Sequence, residues 1–212
     1  MMKKNTKLQN AYSLKTPKDS IELYKNWAKS YDNDFVNNLN YLSPIKITNY
    51  YYKFSRFTDV PILDVGAGTG KIGEYLFKLY KKRIIGLDIS PEMLDKAKYK
   101  NCYKKLIIAD LTKKIPIKSN SIGSVLSAGT FTHGHVGSEA LDELLRITKP
   151  KGLFILSIHK EYFFNGGFKK KFFEIKNQIT SPIFKTFKIY GKNNDKKHGD
   201  DKAFAAIFRK KE

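Results

Sequence analysis

The stretch Ile62-Leu63-Asp64-Val65-Gly66-Ala67-Gly68-Thr69-Gly70 decides the fold. An apolar run ends in an acid, and three alternating glycines then lead into a helical pattern from Lys71 to Tyr80. Glycine takes positive φ freely and lets the backbone approach a ligand closely. In open α/β sheets, ligands bind beyond the carboxyl ends of the strands. The spacing argues against a dinucleotide turn, because Lys71 stands where its third glycine belongs. Asp64 would also place negative charge where a pyrophosphate turn disfavours it.

The same alternation runs outward in both directions. Strands are expected over 60–65, 83–87, 106–109, 122–128 and 153–158, with helices over 71–80, 91–100 and 138–147 between them. A helix over 161–177, broken at Gly166-Gly167, and strands over 183–190 and 203–209 complete the pattern, with a polar loop 191–202 between the last two strands. Strands alternating with helices imply crossovers and a mainly parallel sheet. Upstream, Ile21, Tyr24, Ala28 and Tyr31 follow helical spacing, and Ser43-Pro44 reads as the capped start of a second helix. The chain therefore divides into a flexible tail (1–17), a helical lid (18–58) and an α/β domain (59–212).

Two further acids stand at strand ends. Asp88, in Gly86-Leu87-Asp88-Ile89-Ser90, lies 22 residues after Gly66, where a carboxylate can accept from a ribose diol. Asp110, in Ala109-Asp110-Leu111, can accept from an adenine amino group. Three acids on one sheet edge of a strongly basic chain suit a ligand with no phosphate and a cationic centre. S-adenosylmethionine has that character.

These motifs resemble the core of class I S-adenosylmethionine-dependent methyltransferases over residues 59–158. The stretches Ala128-Gly129-Thr130-Phe131-Thr132-His133-Gly134-His135-Val136, Ala140-Leu141-Asp142-Glu143-Leu144-Leu145-Arg146 and Lys149-Pro150-Lys151-Gly152 are similar to the methyltransferase-like group typified by the Williams–Beuren region methyltransferase. The resemblance implies a Rossmann-like, seven-stranded, mostly parallel sheet with an antiparallel final strand. It implies that Asp64, Gly66, Ala67, Gly68 and Gly70 hold the amino-acid end of S-adenosylmethionine (and of the product S-adenosylhomocysteine), with Asp88 at the ribose. Ile89, Met93, Asp110 and Leu111 would then surround the adenine, with Ala128 beside the cofactor. Tyr24-Lys25-Asn26-Trp27-Ala28-Lys29-Ser30-Tyr31-Asp32 looks like the lid helix of these enzymes, so Tyr24 and Tyr31 either face the cofactor or pack on the sheet edge.

Methyl transfer from a sulfonium needs alignment and exclusion of water more than a catalytic constellation. His133, His135 and Tyr31 are the candidate catalytic residues, and His159 ends the fifth strand. The loop histidines serve either as a base or as backbone-bonded loop residues. Two close histidines fall short of a zinc set, so no metal is expected. Ser127-Ala128-Gly129-Thr130 lacks the Asn/Asp-Pro-Pro-Tyr/Phe motif of exocyclic-amine methylation, and Cys102 precedes the third strand, away from a nucleophile's place. A small-molecule acceptor remains the favoured reading. Two alternatives stand beside it: a non-catalytic S-adenosylmethionine-binding regulatory protein, and a nucleic-acid methyltransferase, recommended only by the formal charge of +20. Only Arg56, Arg83, Arg146 and Arg209 are arginines among 40 basic residues, and the lysines are scattered, as AT-rich codon usage would produce. No run reaches the ~20 apolar residues of a membrane span. The polar N-terminus lacks a signal-peptide core, so a cytoplasmic location is expected. The sequence carries no signal for oligomeric state.

In calorimetry the protein is expected to bind S-adenosylmethionine and S-adenosylhomocysteine and to ignore NAD; binding of NAD with no heat from either adenosyl ligand would reverse this reading.

Overall fold

The computed structural model describes residues 6–14, 16–191 and 199–212. His198 and most of the polar loop expected at 191–202 lie outside the described residues. Helices α1 (Thr6–Tyr12), α2 (Pro17–Trp27) and α3 (Ser43–Phe54) precede the alternating region, with a π-helical turn at Asp32–Asn37 between α2 and α3. Then come β1 (Ile62–Val65), α4 (Lys71–Tyr80), β2 (Ile84–Asp88), α5 (Pro91–Tyr99), β3 (Tyr103–Ile108), β4 (Ile122–Phe131), α6 (Ala140–Ile147) and β5 (Thr148–His159). Helices α7 (Lys160–Asn165) and α8 (Phe168–Glu174) and strands β6 (Ile183–Lys188) and β7 (Lys202–Arg209) complete the chain.

The strands form one sheet in the order β3-β2-β1-β4-β5-β7-β6. Strands β1 to β5 pair in parallel, and β7 runs antiparallel to both β5 and β6. The central strands β1, β4 and β5 are buried on both faces, which is why they read as continuous apolar runs, whereas the edge strands β3 and β6 are largely exposed. Along β5, Phe154 and Leu156 enter the core beneath α6 and α8, while Leu153 and Ile155 enter the core beneath α3 and α4.

The structure departs from several of these expectations. Residues 6–14 are not a detached tail: Ala11 is buried, and Tyr12 donates to Asp201 at 3.0 Å. Helix α2 begins at a capping box that was overlooked, in which the Thr16 hydroxyl accepts from the Asp19 N–H and the Asp19 carboxylate accepts from the Thr16 N–H. Tyr31 does not continue α2 but precedes the π-helical turn, a local widening frequent near functional sites. Ser43 is the first residue of α3 rather than its side-chain cap, and it is buried. Pro150, Lys151 and Gly152 lie within β5, with Lys151 at φ +64°.

Tyr103, at the start of β3, ties the glycine region together. Its hydroxyl donates to Asp64 Oδ2 at 2.7 Å and accepts from the Gly73 N–H at 3.2 Å. A Cβ on Gly70 or Gly86 would stand 2.8 Å from its ring, so these glycines are there to admit the tyrosine. Asp64 is 1% exposed, and its other oxygen, Oδ1, has no hydrogen-bond partner. Burial raises its pKa to about 7 despite the Tyr103 bond.

Folded Asp64 therefore retains a proton that the unfolded chain releases near pH ~4. Its contribution to stability falls as pH rises from about 4 to 7 and levels off above. Denaturant unfolding of the wild type and Asp64→Asn across that range should show the wild type losing stability relative to the variant as pH rises. A constant difference would contradict the raised pKa.

Candidate active site

A cavity lies over the carboxyl ends of the parallel strands, beneath the N-terminal helices. Gly66 and Gly68 line it from the turn after β1. Asp88, Ile89 and Met93 come from the end of β2 and from α5, Asp110 and Leu111 from beyond β3, and Ala128 and His135 from β4 and its loop. Tyr24 and Tyr31 line it from above. Asp64 and Ala67 are not among these residues and instead border a smaller adjoining cavity with Thr69 and Lys71. Gly70 packs against Tyr103 and Ala97, and His133 stands beside Tyr162 and His159.

Gly68 shows what the turn is for. It sits at φ +53°, and a Cβ built on it would meet nothing within 4 Å. Among the described residues no protein atom fills the space in front of it, so the backbone there is open to close approach by a ligand. Asp88 fixes that turn: its Oδ2 accepts from the Gly68 N–H at 2.8 Å and its Oδ1 from the Ser90 N–H at 2.9 Å. Burial raises its pKa against the pull of these backbone donors. A carboxylate has about four lone-pair sites, so acceptor capacity remains for a diol. Asp110 accepts from the N–H and hydroxyl of Thr112, which fixes the turn after β3.

The lid is bonded to the glycine turn. Asp32 accepts from the Thr69 hydroxyl at 2.5 Å and from Lys100 at 2.9 Å, and Lys71 lies 3.4 Å from it. These neighbours hold its pKa below the usual carboxylate range against the opposing effect of burial. Across the cavity, the Tyr24 hydroxyl lies 2.7 Å from His135 Nε2, and His135 Nδ1 lies 2.9 Å from the His133 carbonyl. Gly134 leaves room for the backbone of Leu14, so the N-terminal segment also rests on this loop. Burial pushes the phenols of Tyr24 and Tyr31 up, Tyr41 to about 12, and depresses His135. The aromatic walls are therefore uncharged at neutral pH.

Sequence reasoning missed Tyr12, Tyr41 and Tyr190 as wall residues. No local motif marks them, because they reach the cavity from distant segments. Although the chain carries 40 basic residues, neither lysine nor arginine lines the cavity among the described residues. An adenosyl sulfonium fits such a site: Gly68 offers an empty cradle, Asp88 and Asp110 offer acceptors, and the aromatic walls suit a cation.

Residues 63–156 match the family described as "Methyltransferase domain". Methyltransferase-like protein 27 of Homo sapiens is 29% identical over 71% of this chain and 62% of its own length. The ubiquinone/menaquinone biosynthesis C-methyltransferase UbiE of Wigglesworthia glossinidia brevipalpis is 29% identical over 78% of this chain and 69% of its own. The chain spans about half the length of the first curated relatives it matches. A Methanococcus maripaludis structure described as an S-adenosyl-L-methionine-dependent methyltransferase superposes with a TM-score of 0.62 at 20% identity, covering 90% of this chain and 93% of its own; this likeness shows the fold. No helix among the described residues is long and apolar enough to cross a membrane.

Asp88→Ala removes the acceptor for two backbone N–H groups and a carboxylate that lines the cavity. It should weaken S-adenosylhomocysteine binding at least tenfold and also cost stability, by about 1–3 kcal/mol. Normal affinity in calorimetry would reduce Asp88 to a turn residue.

Proposed function

We propose that the protein, whose residues 63–156 match the methyltransferase-domain family, is a class I S-adenosylmethionine-dependent methyltransferase that methylates a small, largely apolar or aromatic molecule within the roofed cavity. S-adenosylmethionine supplies an activated methyl group when bound. The chain's own part is to orient, to exclude water and to accept hydrogen bonds. Gly66 and Gly68 give way to the ligand, Asp88 and Asp110 accept from its polar groups, and Tyr24 and Tyr31 cover it. Asp64, Ala67 and Gly70 serve from behind, holding the shape of the turn.

The observation that carries the acceptor class is the Tyr24–His135 hydrogen bond. It joins the N-terminal helices to the loop after β4 across the cavity, and Tyr24, Trp27, Tyr31, Phe35, Tyr41 and Tyr190 give that space a largely aromatic wall. His135 spends both ring nitrogens on this bridge and on the His133 carbonyl. We therefore read it as a positioning residue rather than a base. Tyr31 lies within 4.9 Å of the Trp27 ring and 5.0 Å of the Phe35 ring, so it serves packing as well as cover. The names of two relatives support a small acceptor: one is a quinone-pathway C-methyltransferase and another a malonyl-acyl-carrier-protein O-methyltransferase. A nucleic-acid acceptor would need lysines or arginines at the cavity, and among the described residues neither lines it.

Incubation with methyl-labelled S-adenosylmethionine and a fractionated cell extract should place label in the small-molecule fraction, and label confined to RNA would defeat the proposal. Tyr24→Phe keeps the ring and removes the bridging hydroxyl. It should lower turnover at least severalfold while shifting the melting temperature only a few degrees. Unchanged turnover would show that the bridge does not gate the site.

A further inference from the structure

The β5 end of the cavity holds a cluster that the methyltransferase reading leaves unused. His133 comes from the loop after β4, His159 from the last position of β5 and Glu161 from the first turn of α7. One donor atom from each lies within 4.8 Å of the others. His159 is only 7% exposed, yet neither ring nitrogen makes a hydrogen bond. Nε2 faces the Asp201 carboxylate at 3.5 Å without a hydrogen bond, and Nδ1 has no hydrogen-bond partner among the described residues; a buried ring nitrogen without a partner is costly, so the arrangement calls for something in addition to the protein.

We infer that His133, His159 and Glu161 bind a divalent transition-metal ion of the zinc, cobalt or nickel kind at the wall of the acceptor cavity. Two imidazoles and one carboxylate suit these ions, whereas magnesium and calcium prefer all-oxygen sets. The outer residues fit as well. His159 Nε2 faces Asp201 Oδ2 at 3.5 Å, leaving Nδ1 for a metal. Tyr12 donates to the same carboxylate. A ligand histidine backed by a carboxylate is the usual way such a ring is oriented. Metal–donor bonds of about 2.0–2.2 Å require the three donors to draw closer. Half-buried His133 and exposed Glu161 are free to move toward fixed His159. Three protein ligands leave a coordination position open, and His159 itself lines the cavity. A donor atom of a bound molecule can therefore reach the ion there. The histidine pair visible in the sequence, His133 and His135, is not the ligand pair, since His135 is committed to Tyr24.

The site stands apart from the methyl-transfer reading, and the test keeps them apart. The full chain, stripped with chelator, is titrated with zinc chloride by calorimetry and with cobalt chloride by visible absorption, and S-adenosylhomocysteine affinity is measured on the same samples. One ion per chain is expected. His133→Ala and Glu161→Gln, both at accessible positions, should each weaken zinc binding at least tenfold, and Asp201→Asn should weaken it by about 10–100-fold. Affinity for S-adenosylhomocysteine should be retained throughout. Failure to bind one zinc per chain, or zinc binding unchanged in the folded His133→Ala/Glu161→Gln double variant, would overturn the inference.

Discussion

The carboxylate of Asp88 holds the site together. One oxygen fixes the Gly68 N–H and the other the Ser90 N–H, so the turn after β1 and the start of α5 share one anchor. Everything around the cavity builds on that junction. Gly68 can face open space because its own N–H is already satisfied. Thr69, the next residue, then presents its hydroxyl to Asp32 of the lid. The lid in turn sets Tyr24 against His135. Burying an unpaired backbone N–H costs more than any one of these contacts returns, so the anchor comes first and the roof depends on it.

Behind this junction lies a second constraint, the Tyr103 hydroxyl between Asp64 and the Gly73 N–H. It explains why the glycines of the motif do different jobs. Gly68 is open to a ligand, whereas Gly70, Gly73 and Gly86 make room for one tyrosine ring. A chain of alternating glycines does not reveal this division, because the partner, Tyr103, lies on another strand far downstream of the turn.

The sheet was legible because its central strands are buried on both faces and its helices carry local start signals, such as the Ser90 hydroxyl accepting from the Met93 N–H. Asp88 and Asp110 could be placed at the site because strand ends are fixed by periodicity. The N-terminal segment was harder to read. Its order comes from long-range contacts, Tyr12 with Asp201 and Leu14 with Gly134, which no local pattern encodes. The same holds for His133, His159 and Glu161, which two strand ends and a helix start bring together. The net charge of +20 was a poor guide to the site, since lysine and arginine are absent from the cavity lining among the described residues.

The central claim is that one cavity, between the glycine turn and the lid, takes the adenosyl ligand. Hydrogen exchange with and without S-adenosylhomocysteine tests it most directly. The account predicts added protection at Gly66–Gly70, in the stretch 20–37 and in the loop 128–136, with β6 and α8 unchanged. Protection absent from all three, or confined to the β6 side of the sheet, would contradict it.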